Sequence, residues 1–133
     1  MDDYGYNLKL PDSLNVEVEN AMIFDGLRDN TGSSNGGVRK WEKIKPGHGY
    51  GFNTDGHLNF LSNRFGPELS FASTLSQYGD KIAIIKYSFG GTVLYPSAGY
   101  VNWSPDEKNR NHYDNALATI KNAFQVTDIN GDS

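Results

Sequence analysis

The chain has 133 residues, the length of one ordinary domain, and no cysteine, which excludes a disulfide framework, a Cys-ligated zinc site and a thiol nucleophile. Twelve Lys and Arg residues against 16 Asp and Glu give a formal net charge of −4, so we expect no nucleic-acid partner. No apolar run is long enough to span a membrane and the acidic N-terminus does not resemble a signal peptide, so we expect no membrane partner, while localisation stays open.

The first predicted element is a β-strand within residues 15–24, in two pieces around Asn20. Apolar side chains alternate with polar ones and are predicted to share one face: Val16, Val18, Met22 and Phe24. Residues 25–64 are predicted to form a long loop, because glycine, asparagine and proline recur throughout them. Its aromatic residues and histidines favour an ordered surface, and a flexible insertion is the alternative.

The clearest predicted helix covers residues 66–78. Pro67 suits the first helical position and Gly79 is a typical stop signal. Three apolar residues at helical spacing are predicted to face the core, flanked by Ala72: Phe71, Leu75 and Tyr78.

Residues 81–88 form a continuous apolar run, which is typical of a central parallel strand that is buried on both faces. An irregular stretch over residues 95–111 precedes a second predicted helix at 112–125. The apolar row of that helix, widened by Ala116 and Ala123, is predicted to face the core: Tyr113, Leu117, Ile120 and Phe124.

The element order is β-loop-α-β-loop-α, which predicts an α/β fold with a parallel sheet. Two strands are too few for a doubly wound sheet, so we expect an incomplete domain or one that associates with a partner. Exposed sheet edges make self-association a further expectation.

Two motifs give the chain a family resemblance. Residues 65–72 read FGPELSFA, and residues 84–92 read IIKYSFGGT. Together they resemble the carbohydrate-acetylesterase branch of the SGNH hydrolases, which includes sialate O-acetylesterase-like and acetylxylan-esterase-like domains. The resemblance implies a three-layer, flavodoxin-like fold.

The resemblance also implies that residues 1–133 are a single partial domain. In the family, the nucleophilic serine lies in a Gly-Gln-Ser-Asn-Met stretch, and Met1 would stand at the methionine of that stretch. The Trp-x-Gln-Gly-Glu-like block and the late Asp-x-x-His of such chains do not occur before Ser133. The nucleophile strand and the C-terminal blocks would therefore lie outside this chain.

The glycine pair after the second strand is the candidate catalytic feature. By resemblance, the backbone N–H of Gly90 or Gly91 donates to the oxyanion, and the choice between the two stays open. Glycine suits the role because the backbone must approach the substrate closely. Read without the family, the pair is an ordinary tight turn after a strand.

Aromatic residues in the loops are candidate sugar-binding residues. Tyr95 and Trp103 could stack on sugar rings or cover the core edge, and Trp103 falls near a tryptophan that often follows Gly-Gly-Thr in the family. Thr92 could support this loop through a side-chain hydrogen bond or simply begin the next turn.

No nucleophile or base is assigned within the chain. Ser33 and Ser34 lie in a Gly-rich loop, and Ser88 lacks the pattern of a nucleophile elbow. His48, His57 and His112 are predicted to be surface or loop residues rather than catalytic bases. Residues 128–133 have the first spacings of a calcium loop but end before its bidentate glutamate, so we expect a polar turn and no metal site.

The sequence therefore predicts a portion of a carbohydrate O-acetylesterase that acts on acetylated sugar or polysaccharide and needs no cofactor. Hydrolysis by this chain alone is expected to be slight, because the resemblance puts the nucleophile outside it. One alternative is a non-catalytic carbohydrate-binding or interaction module on the same scaffold. Another is a truncated product that needs a complementary piece. By resemblance, the parent protein is expected to be secreted.

Overall fold

The computed structural model describes ten ranges of the chain: residues 10–26, 37–48, 53–54, 59–60, 65–79, 81–89, 92–95, 102–107, 111–127 and 129. A short 3-10 helix, Asp12–Leu14, precedes the main elements. These are β1 (Ala21–Gly26), β2 (Gly37–Lys43), β3 (Asn53–Thr54), β4 (Asn59–Phe60), α1 (Pro67–Ser76), β5 (Ile82–Tyr87) and α2 (His112–Gln125).

Three strands form the main sheet in the order β2-β1-β5. β1 pairs with β5 in parallel, with Ile23 opposite Ile84, and with β2 in antiparallel, with Phe24 opposite Trp41. β3 and β4 form a separate antiparallel pair. The α/β class and the parallel pairing of the two predicted strands are confirmed, but the described sheet is mixed rather than parallel, because β2 pairs with β1 in antiparallel.

The sheet lies between the two helices. Ile23 belongs to an apolar cluster with Leu69 and Ala72 of α1. The next residue of β1, Phe24, belongs to a second cluster with Trp41 and with Ala123 of α2. Successive side chains of a strand point to opposite faces, so α1 and α2 cover opposite faces of β1.

The boundaries of both helices agree well with the sequence prediction. Pro67 occupies the start of α1, and Gly79 beyond its end has a positive φ of 84°. That left-handed backbone is the conformation that glycine adopts most readily at the end of a helix. α2 covers His112–Gln125, as predicted, and the Asn111 side chain caps it.

The predicted core faces of both helices are wrong for their large side chains, and only the flanking alanines Ala72 and Ala123 are buried as predicted. On α1, Phe71 is 56% exposed, whereas Leu69 is 1% exposed. The predicted row of α2 is likewise exposed, and the buried residues of this helix are His112, Asn115, Thr119 and Ala123. On α2 the physical reason is close packing, because small side chains such as Thr119 let the helix approach the sheet where large ones would hold it away.

The first strand begins later than predicted and has a different face. Val16 is exposed, and Val18 packs with Ala21 and Ile23 on the α1 side of the sheet. Met22 and Phe24 belong to the α2 side. The predicted alternation failed because a turn precedes the strand, with the N–H of Ala21 donating to the carbonyl of Val18 at 3.3 Å.

The predicted loop over residues 25–64 contains β2, which the sequence analysis missed. β2 lies at the edge of the sheet, where charged side chains such as Lys40 and Lys43 are compatible with strand structure. Residues 27–36, 49–52, 55–58 and 61–64 lie outside the described ranges. β5 is half-buried along most of its length rather than buried on both faces, so its predicted central position is not observed in the part of the sheet that is described.

Candidate functional site

Two groups of side chains lie where the parallel strands β1 and β5 end. The charged cluster consists of Asp25, His48, Glu68 and Lys86. The aromatic cluster consists of Tyr87, Phe89, Trp103 and His112. In open α/β sheets, ligands bind outside the carboxyl ends of the strands, so this edge is the candidate functional site.

The register between β1 and β5 positions two members of the charged cluster. Asp25 and Lys86 are directly opposite each other on β1 and β5, and their side chains therefore share a face. The imidazole Nδ1 of His48 donates to Asp25 Oδ2 at 2.6 Å. Lys86 Nζ lies 3.0 Å from Glu68 Oε1 and also donates to the backbone carbonyl of His48.

Glu68 connects this cluster to the start of α1. Its Oε1 accepts a hydrogen bond of 3.0 Å from the backbone N–H of Gly66, the residue that precedes the helix. A carboxylate near a helix N-terminus also interacts favourably with the helix dipole. Lys86 therefore connects three parts of the fold: the end of β5, the start of α1 and the segment that ends at His48.

An Asp–His pair of this geometry fixes the orientation of an imidazole, as it does in hydrolytic triads. Here both members are buried, with His48 2% and Asp25 6% exposed, so the ring does not face solvent. His48 lies in a loop segment, as predicted, but it is buried rather than at the surface. In this arrangement the pair connects the segment that ends at His48 to the end of β1.

The aromatic cluster surrounds a fully buried imidazole. His112, the first residue of α2, is hydrogen-bonded through Nδ1 to the Tyr87 hydroxyl at 2.6 Å. Phe89 stacks on the imidazole with a centroid separation of 4.8 Å, and Trp103 lies 5.7 Å from it. The predicted surface position of His112 is therefore wrong, and the residue anchors α2 to the end of β5.

Two predicted site residues are brought together here. The Trp103 indole N–H donates to Thr92 Oγ1 at 3.0 Å, and the Thr92 hydroxyl donates to the carbonyl of Phe89 at 3.5 Å. Gly90 and Gly91, the predicted oxyanion donors, lie outside the described residues. Thr92 thus makes the side-chain hydrogen bond that was one of its two predicted roles.

Backbone hydrogen bonds also connect the segments that carry Thr92, Trp103 and His112. The N–H of Trp103 donates to the carbonyl of Val93 at 3.1 Å, and the N–H of His112 donates to the carbonyl of Asn102 at 2.9 Å. Asn102 also accepts from the N–H of Ser104 through its side chain. These contacts connect the two sides of the loop between β5 and α2.

The remaining predicted residues lie apart from these contacts or outside the description. Tyr95 is 69% exposed. Ser88 is exposed and lies directly after β5. Ser33, Ser34, His57 and Asp128 lie outside the described ranges.

Sequence reasoning missed Asp25, Tyr87 and His112 as members of this edge. Asp25 was predicted to begin the long loop over residues 25–64, and the strand in fact extends through it. The signal that could have identified Asp25 is its position, because site residues are found at the carboxyl ends of parallel strands.

Comparison with known proteins gives no relatives: no family model, curated protein or solved structure matches this chain. Among the described residues, no three His, Asp or Glu side chains are grouped as metal ligands. Within the same ranges, no helix has the length and apolar character needed to cross a membrane.

Proposed function

We propose that this chain is the central portion of a carbohydrate O-acetylesterase of the SGNH type, with a three-layer, flavodoxin-like parent domain. The proposed reaction is the removal of acetyl esters from a sugar or polysaccharide by a serine nucleophile. The observation that carries the proposal is the 3.0 Å hydrogen bond from Trp103 to Thr92. It joins two residues that the family resemblance selected.

The location of that hydrogen bond supports a ligand site. Thr92 follows β5 closely, and β5 is parallel to β1, so the pair lies at the carboxyl edge of the parallel strands. The Trp103 indole packs edge-on against Tyr87 with centroids 5.8 Å apart. Such an aromatic surface suits the apolar face of a sugar ring.

The proposed chemistry assigns one backbone donor to this loop. A tetrahedral intermediate carries a negative oxygen, and a positioned N–H donor stabilises that charge. Gly90 or Gly91 would supply one such donor, with Thr92 held between the indole of Trp103 and the carbonyl of Phe89. The serine and its histidine base would come from sequence outside residues 1–133, and the reaction requires no metal or organic cofactor.

The test is hydrolysis of p-nitrophenyl acetate by the 133-residue chain and by a chain extended upstream and downstream at its locus. We expect no hydrolysis above background from the short chain and clear hydrolysis from the extended one. Activity of the short chain that survives repurification would contradict the proposed position of the nucleophile. Ser33, Ser34 and Ser88 would then be replaced in turn.

Matched variants of the extended chain test the Thr92 contact. Thr92→Val keeps the side-chain shape but removes the acceptor of the Trp103 N–H, so kcat/KM is expected to fall about tenfold. Thr92→Ser keeps the hydroxyl and is expected to stay within about twofold of the parent. Equal losses in both variants would show that the hydrogen bond has no role at this site.

The second candidate function is a non-catalytic carbohydrate-binding module. It is favoured by two adjacent apolar residues that follow Thr92, since Leu94 is 84% and Tyr95 69% exposed. Titration of the chain with an acetylated xylo-oligosaccharide, followed by NMR, tests this function. Tyr95→Ala should remove saturable binding, whereas Tyr78→Ala, an equally exposed tyrosine after α1, should not. Binding by the extended chain without hydrolysis would favour the module.

A further inference from the structure

One face of α2 carries an apolar row that the sheet does not cover. Its members are 42%, 37%, 41% and 77% exposed, in the order Tyr113, Leu117, Ile120 and Phe124. They are spaced by four, three and four residues, which is the alternation of apolar positions along the seam of paired helices. We call these four residues the α2 row.

The α2 row is separate from the residues that pack on the sheet. The buried residues of α2 form a second row: His112, Asn115, Thr119 and Ala123. Each of them precedes a member of the α2 row by one or two positions. One residue corresponds to about 100° of rotation around an α-helix. A partner could therefore cover the α2 row without disturbing the packing of α2 on β1.

We propose that the α2 row is a self-association surface, on which α2 of a second copy of this chain packs in antiparallel orientation about a two-fold axis. A two-fold interface uses the same residues from both copies, so the surface must be complementary to itself. In the antiparallel arrangement, Tyr113 of one copy lies near Phe124 of the partner subunit. Leu117 then lies near Ile120 of the partner subunit.

Charge decides between antiparallel and parallel pairing. Asp114 and Lys121 are both exposed, and each follows a member of the α2 row by one position. Antiparallel pairing brings Asp114 close to Lys121 of the partner subunit, twice in each dimer. Parallel pairing in register would instead place the two copies of each charged residue on opposite sides of the seam, so these ion pairs would not form. Opposed helix dipoles favour the antiparallel arrangement as well.

The area of the α2 row determines how strongly two copies are expected to associate. The α2 row exposes roughly 400 Å² per copy, if an aromatic side chain contributes about 200 Å² when fully exposed. Two copies would bury about 800 Å² through this row, which is below the 1,200–2,000 Å² of stable complexes. We therefore expect a weak dimer, with a dissociation constant on the order of 100 µM.

Analytical ultracentrifugation of the chain from about 10 µM to 1 mM tests the proposal at concentrations around that dissociation constant. We expect a reversible monomer–dimer equilibrium, which Phe124→Gln weakens about tenfold or more. Phe71→Gln on α1 is the matched control, since Phe71 is also an exposed phenylalanine, and it should change the dissociation constant less than about twofold. A monomer at all concentrations would overturn the proposal, as would equal effects of the two variants.

A charge exchange tests the orientation. Lys121→Glu should weaken dimerisation about fivefold, because it places a carboxylate near Asp114 of the partner subunit. Adding Asp114→Lys should restore the affinity of the parent chain. Asp114 Oδ2 also accepts from Asn111 Nδ2 at 3.1 Å, so circular dichroism must show that the double variant is folded.

If the folded double variant does not recover affinity, the antiparallel pairing is overturned. A monomeric extended chain in which the α2 row is protected from hydrogen exchange would also overturn it, by showing that another part of the polypeptide covers the row.

Discussion

Gly26, the last residue of β1, lies against the Thr119 side chain of α2. A Cβ atom built on Gly26 would be 2.1 Å from Thr119 Oγ1 and 2.2 Å from its Cγ2. Both residues are buried, and the Thr119 hydroxyl donates to the carbonyl of Asn115 at 2.9 Å. The strand and the helix therefore approach each other closely at this glycine.

Gly26→Ala is expected to lower the free energy of unfolding by about 1–3 kcal/mol, because the added methyl group must displace a buried side chain. Chemical denaturation measures the change. Thr119→Ala in the same chain should recover part of the loss, since it removes the two closest atoms. Strictly additive effects of the two substitutions would contradict a direct contact.

The two faces of α1 should differ sharply in their response to truncation. Leu69→Ala removes a side chain that is 1% exposed and should cost about 2–5 kcal/mol of unfolding free energy. Phe71→Ala changes an exposed side chain and should stay within about 0.5 kcal/mol. A larger loss from Phe71→Ala in thermal or chemical denaturation would mean that α1 packs on the sheet through the face that its sequence pattern indicates.

Breaking the buried ion pair of the charged cluster should be costly. Glu68 and Lys86 are 6% and 15% exposed, so Lys86→Met leaves a buried carboxylate without its cation and should cost about 3–5 kcal/mol. The double variant Glu68→Leu/Lys86→Met should be less destabilised than the single one.

The matched control for this pair is Lys43 with Glu17, separated by 3.1 Å and about half exposed. Lys43→Met should cost less than about 1 kcal/mol, because solvent screens the pair. Similar costs at the two sites in urea denaturation would contradict the role of burial.

The Asn111 cap should contribute measurably to the stability of α2. Its side-chain oxygen accepts from the backbone N–H of Tyr113 at 2.7 Å and of Asp114 at 3.4 Å. Asn111→Ala should lower the unfolding free energy by about 0.5–2 kcal/mol, and Asn111→Ser should retain most of it. Melting followed by circular dichroism distinguishes them, and equal losses would show that capping is not the cause.

Local signals predicted the helices well. Pro67 at the start and Gly79 after the end of α1 act through their own backbone restrictions, which do not depend on the rest of the fold. The apolar residues of β5 likewise identified a strand, and its parallel partner follows from the intervening helix.

The faces of the helices were not predictable from periodicity. An apolar row such as Leu117 and Ile120 predicts burial, yet the residue of α2 that packs against Gly26 is Thr119, whose side chain is small enough for this close contact. The two side-chain clusters at the strand ends could not be predicted from the sequence either. Tyr87 and His112 are 25 residues apart in sequence, and no local pattern connects them.

The parallel pairing of β1 with β5 also has a kinetic consequence. β1 can form a hairpin with β2 soon after synthesis, but its other edge must wait for a strand that lies far along the chain. Contacts between residues so far apart in sequence slow folding. Until β5 pairs with it, the free edge of β1 exposes unpaired N–H and C=O groups to neighbouring chains. Refolding yield should therefore fall as protein concentration rises, even though the native sheet buries β1 between two strands.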